Sequence, residues 1–206
     1  MTNIKHKVFL SYHHANDQWA KDHLIKMNKL YDIFIDKSVD TGDIDDNLPD
    51  ETIRVKIRDE YLCDSTVTLL LVGKETKHRK HIDWELYSSM RDSEINKKSG
   101  ILVVMLPTVA TDYYTAGHGD VEKSQLYPDT SNWIHIDSRT EFESRYPYMP
   151  DRIIDCLLMG NSYISVVNWD KIENSPEVLR RLIEWTNRDK ESCDYDLSRP
   201  MRRRNG

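Results

Sequence analysis

Val67-Thr68-Leu69-Leu70-Leu71-Val72 is an apolar run broken only by Thr68 and closed by Gly73, and Ile101-Leu102-Val103-Val104-Met105-Leu106 is a second such run, opened by Gly100. Runs of six without polar alternation read as strands covered on both faces, the condition of strands in a parallel sheet flanked by helices. The intervening segment fits that architecture. A basic stretch, 74–81, leads into a helix with Asp83 as its expected N-cap and Leu86 and Met90 on one face. Upstream the same alternation recurs. Val8-Phe9-Leu10 is a short buried strand running into the polar cluster 11–16, and a helix follows with Asp17 as its expected N-cap. Ala20, Leu24, Met27 and Tyr31 recur at helical spacing along it. Asp32-Ile33-Phe34-Ile35-Asp36 reads as a second strand, 40–50 as an acidic loop holding Gly42 and Pro49, and Ile53, Ile57 and Tyr61 as the stripe of another helix. Strand and helix alternating in this way predict βαβ units, hence an α/β fold with a parallel sheet and helices on both faces.

The second half is less regular. Residues 107–150 hold four of the seven prolines together with Gly117 and Gly119, which predicts a long Tyr-rich connection. Trp133-Ile134-His135-Ile136-Asp137 reads as a fifth strand, 151–158 as a helix and 163–169 as a short strand, an irregular α+β half. Ser175-Pro176-Glu177 is a helix start, with Leu179, Leu182, Ile183 and Thr186 on one face that should dock on the body of the domain or on another subunit. Arg199, Arg202, Arg203 and Arg204 have no apolar partner nearby in sequence, so 198–206 reads as a mobile tail.

Composition narrows the function. The 206 residues suit one domain, and 31% charged residues beside 11 Tyr and 5 Trp do not describe a disordered chain. A net charge of -6 disfavours nucleic acid and anionic lipid as partners. Three cysteines without CxxC spacing predict neither a disulfide framework nor a zinc knuckle, and no apolar stretch has the length of a bilayer span or a signal peptide. The expected location is the cytoplasm. His78 and His81 with Asp83, or His13 with His14, lack the further ligands that a metal site needs. Without a P-loop, GxGxxG or nucleophile elbow, the kinase, ATPase, dehydrogenase and hydrolase readings lose support.

Open parallel sheets bind ligands beyond the carboxyl ends of their strands, so the residues after Leu10, Ile35, Val72 and Leu106 are the candidates. There stand Val8-Phe9-Leu10-Ser11-Tyr12, Phe34-Ile35-Asp36-Lys37-Ser38, the run ending at Gly73, and Arg79-Lys80-His81-Ile82-Asp83-Trp84-Glu85-Leu86. In order and spacing these segments resemble the TIR-like domain of bacterial Thoeris anti-phage proteins of the ThsB type, over about residues 5–106, with 107–206 as an extension of a single domain. The resemblance implies a flavodoxin-like fold. It also implies an enzyme that needs no cofactor, taking NAD as substrate and making from it a cyclic ADP-ribose isomer. That diffusible messenger activates a partner NADase of the ThsA type, in response to a phage-derived trigger. The chain departs from ordinary TIR domains in carrying His81, where they have Trp, four residues before the glutamate, with Trp84 directly before it. Gly42 matches the glycine of their mobile loop.

Glu85 is the expected catalytic residue. Expelling nicotinamide from NAD releases a neutral pyridine that needs no acid, so one carboxylate suffices, either stabilising an oxocarbenium-like C1' or attacking it. The plainer reading puts Glu85 in the first turn of its helix, favouring the dipole. Phe9, Ser11, Tyr12, Asp36, Ser38 and Trp84 are the expected substrate-binding residues. Aromatic faces at the first strand would stack on a base, hydroxyls would meet ribose or phosphate, and Asp36 would take a ribose hydroxyl. For Phe9 a place in the core is equally open. Arg79 and Lys80 either hold the pyrophosphate or are solvated. The rival readings are a non-catalytic TIR-like interaction module, with the Tyr-rich half as partner surface, and a domain that binds nucleotides without cleaving them.

Overall fold

The computed structural model describes residues 5–38, 50–93 and 97–206, so Gly42 and most of the acidic loop lie outside the described residues. Among those described, five strands form one wholly parallel sheet: β1 (Lys7–Ser11), β2 (Ile35–Asp36), β3 (Val67–Val72), β4 (Gly100–Met105) and β5 (Ser165–Asn168). Their order is β2-β1-β3-β4-β5, the flavodoxin-like winding whose switch point falls between β1 and β3. β3 and β4 are buried along their whole length, in register from Val67 opposite Gly100 to Val72 opposite Met105. That placement is why their sequence shows no alternation.

Helices cover both faces. On one, α1 (His14–Tyr31) and α7 (Pro176–Asp189) bring Ala20, Leu24, Leu179 and Leu182 onto Leu69 and Leu102. On the other, α3 (Lys80–Met90) and α6 (Asp151–Met159) bring Ile82, Leu86 and Ile153 onto Leu70 and Val103. Gly160 closes α6 at φ 75°, a conformation open to a residue without Cβ. A smaller cluster joins Phe9, Ile53, Ile57, Leu62 and Trp84 beneath α2 (Asp50–Lys56), which continues as a π-helical turn, Ile57–Tyr61. The short helices α4 (Asp120–Leu126) and α5 (Arg139–Arg145) complete the α-helices among the described residues. Among the described residues, no helix is long and apolar enough to cross a membrane.

Several expectations are corrected. The fifth strand is Ser165–Asn168, and 133–137 has no regular structure. Trp133 spends its ring on Tyr114 and Tyr127 at 5.6 and 5.8 Å, whereas Val166 and Val167 are buried beside β4. β2 is only two residues long because Asn28 intercepts the backbone before it. The Asn28 Oδ1 accepts from the Ile33 and Phe34 N–H groups, and its amide donates to the Phe34 carbonyl.

Both predicted N-caps lie inside their helices. α1 starts at His14 and is capped by His13, whose Nδ1 accepts the Asn16 N–H. α3 starts at Lys80, so Asp83 is in its first turn and Glu85 in its second, beyond the reach of a first-turn dipole effect.

The tail is docked across the start of α3. The Asn205 Oδ1 accepts the Lys80 N–H, Trp84 Nε1 donates to the Arg202 carbonyl, and the Arg202 N–H donates to Asp83 Oδ2. Arg199 pairs with Asp155 at 2.5 Å, and Met201 packs on the Phe9–Trp84 cluster. Arg199 and Arg202 have acidic partners, Asp151 and Asp155, far away in sequence, which local pattern does not reveal.

Candidate functional site

β1 ends at Ser11 and α3 follows β3, so the chain brings Ser11 and Glu85 to the β1/β3 switch point from two separate segments. Ser11 Oγ donates to Glu85 Oε2 at 2.6 Å, and both residues are buried. Burial pushes the Glu85 carboxyl up to about 7, with the Ser11 hydrogen bond opposing the rise. Near neutral pH both its acid and its carboxylate forms are therefore within reach. Such a group can stabilise positive charge in one form and carry a proton in the other.

Two further polar residues stand at the same edge. His13 is buried, and burial followed by the charge of Arg79 holds its imidazole below the ordinary value. Because Nδ1 accepts the Asn16 N–H, the proton of the neutral ring sits on Nε2. The Asp17 carboxyl lies against Gly73, and burial raises it to about 6. Here the absence of a side chain matters: a β carbon at Gly73 would lie 2.4 Å from Asp17 Oδ2.

The remaining expected residues are placed as follows. Phe9 is 1% exposed and Trp84 3% exposed, and they share one apolar cluster, so the structure gives Phe9 the core role and not an open stacking face. Tyr12 is buried with the opposite core, its hydroxyl donating to Gln18 Oε1 at 2.8 Å and its ring stacked on His14 at 4.5 Å. Asp36 is exposed, and its Oδ1 accepts from both the backbone N–H and the hydroxyl of Ser38. Ser38 Oγ in turn accepts the Leu10 N–H, tying the end of β2 to β1. Arg79 is half-buried with Nε lacking a hydrogen-bond partner, and Lys80 lies over the Trp84 ring at 5.2 Å. Among the described residues, no group of three or more His, Cys, Asp or Glu is gathered as a metal ion requires.

Reading Asp17 as a cap hid its place in the site. The signal was available, since Asp17, Ala20, Leu24 and Met27 share one helical stripe and an acid on an apolar stripe is turned inward. A separate cleft of about 590 Å³ lies in the second half of the chain, walled by Tyr113, Tyr114, Trp133, Ile134, Arg145 and Tyr163.

No curated protein matches the chain. The family described as Thoeris protein ThsB, TIR-like domain, matches residues 9–111, half of the chain, a span that starts in β1, includes Ser11, Asp17, Gly73 and Glu85, and ends just beyond β4. On that match the chain belongs to the ThsB family of TIR-like proteins, components of Thoeris anti-phage defence.

Proposed function

We propose that the chain cleaves NAD at the nicotinamide–ribose bond and closes the ADP-ribose into a cyclic messenger for a partner effector. The observation that carries this is Glu85, a buried carboxyl held by Ser11 at the switch point where open sheets bind nucleotides. As the C1'–N bond breaks, its electron pair leaves with nicotinamide, which becomes a neutral pyridine, and positive charge develops at C1'. The Glu85 carboxylate stabilises that charge inside a site shielded from water, where such an interaction is stronger than in solution. An internal hydroxyl or ring nitrogen of the ADP-ribose then bonds to C1'. Where that nucleophile is a hydroxyl, its proton passes to the Glu85 carboxylate. Ser11 fixes the orientation of the carboxylate, and Arg79, with its unpartnered Nε, supplies positive charge for the pyrophosphate.

The test pairs fold with turnover. Purified protein is incubated with NAD and an extract of phage-infected cells as source of the trigger, and nicotinamide and cyclic product are resolved by chromatography. The wild type should give both. Glu85→Gln should keep its circular dichroism spectrum and give neither, because the amide is nearly isosteric yet uncharged. Turnover by a folded Glu85→Gln protein would remove Glu85 from catalysis. Intact NAD with the wild type would leave the non-catalytic reading, for which the aromatic cleft near Trp133 is the natural partner surface.

A further inference from the structure

Asp17 is a buried acid for which the fold has no evident use. Only 2% of the residue is exposed, and Oδ2 has no hydrogen-bond partner. α1 does not need it as a cap, since His13 accepts the Asn16 N–H. The nearby Thr76 hydroxyl is engaged with the Gly73 N–H and the Leu71 carbonyl. Leaving a buried carboxyl oxygen without a donor destabilises the folded state. The location is specific as well. Asp17 rests on the bare Cα of Gly73, the residue that follows β3, while the neighbouring strand β1 ends at Ser11 with Glu85 bonded to it. Two carboxyls thus arrive at one switch point from opposite faces of the sheet, Glu85 on α3 and Asp17 on α1.

We propose that Asp17 is the ribose-binding acid of this site, accepting on Oδ2 a hydrogen bond from a ribose hydroxyl of the nucleotide. This rests on the reading that the site takes NAD. A carboxylate is an acceptor-only group, so a ribose hydroxyl is a fitting donor for it, and this one reaches from the first turn of α1 to the end of β3, where open sheets bind nucleotides. Binding supplies the donor that the folded chain withholds. The assignment moves the ribose contact from Asp36, whose Oδ1 is already taken by Ser38, to a residue that lies against Gly73 at the end of β3. Gly73 becomes a specificity determinant, because any side chain there would push the carboxyl out of place.

Binding separates this role from catalysis. Calorimetric titrations of NAD, ADP-ribose and free nicotinamide are made on Glu85→Gln, and on Glu85→Gln carrying Asp17→Asn or Gly73→Ala. Glu85→Gln should bind NAD and ADP-ribose. Asp17→Asn should weaken both by about tenfold or more, the effect of losing a hydrogen bond to a charged group, and leave nicotinamide unaffected. Its melting temperature at pH 8 should equal or exceed that of its parent, which excludes unfolding as the cause. Gly73→Ala, with Asp17 intact but displaced, should reproduce the loss. Unchanged affinity in folded Asp17→Asn would overturn the ribose assignment alone, whereas no binding of NAD or ADP-ribose by wild type and Glu85→Gln alike would overturn the NAD reading from which it starts.

Discussion

Carboxyls held from water make this protein's stability depend on pH in a definite direction. Burial raises Asp17 to about 6 and Glu85 and Glu122 to about 7, all above their unfolded values near 4. Between those limits the folded chain keeps protons that the unfolded chain has released. The contribution of these groups is therefore fully present below about pH 4 and is lost as pH rises through 6 to 7. Urea denaturation at pH 5 and pH 8 should show the wild type weaker at the higher pH. Glu85→Gln should remove about 2 kcal/mol of that difference and Asp17→Asn a smaller part, about 1 kcal/mol. An unchanged difference in both variants would mean that these acids are not desolvated in the folded chain. At this scale the sequence was legible only in part. A motif surrounds Glu85 and singles it out as a candidate, whereas the rings of Phe9, for which core and ligand were both open, and of Tyr12, offered to a ligand, belong to two different cores, a distinction that the short run Val8 to Tyr12 does not announce.

The elements meet at a node that no local pattern announces. Arg152 of α6, fully buried, donates to both oxygens of Asp83 on α3, at 2.9 and 3.1 Å, and also to the Arg199 and Pro200 carbonyls of the docked tail. Removing 198–206 would strip those carbonyls from a buried guanidinium, the Arg202 carbonyl from Trp84 and Met201 from the cluster that holds Phe9. The truncated protein should be destabilised by at least about 3 kcal/mol in urea, since each orphaned buried donor costs about 1 to 3 kcal/mol. NAD turnover should fall with it, because the start of α3 loses its clamp two residues from Glu85. The sequence alone, giving the arginines no partner, predicts no change on either measure, so this truncation separates the two accounts. What was legible among the elements were those whose evidence is local: the apolar runs of β3 and β4, the Ser175-Pro176 start of α7 and the stripe of α1. What was not legible depended on partners distant in the chain, or on one side chain, Asn28, substituting for a strand neighbour.

At the scale of the whole molecule, the second half completes the sheet and does not stand apart from it. β5 pairs with β4, and Leu179, Leu182, Ile183 and Trp185 of α7 share a core with Val8, Leu69 and Val104. The family match stops at residue 111, so both elements lie beyond it. Burying each such side chain is worth about 1.5 to 3 kcal/mol, and the loss of four compares with the whole stability of an ordinary domain. Removal of the chain from Pro176 onward should therefore give aggregated protein by size-exclusion chromatography, and a monodisperse, folded product would show that the first 175 residues carry a sufficient core. The docked tail has a consequence in time as well. A chain made from its amino end presents Asp83, Trp84 and Glu85 well before Arg202 and Asn205 exist to hold the start of their helix. At about 5 to 20 residues per second, the interval is several seconds or more. Throughout that interval a nascent chain has its glutamate but not its finished setting, and the clamp is assembled only once Arg202 and Asn205 have been added.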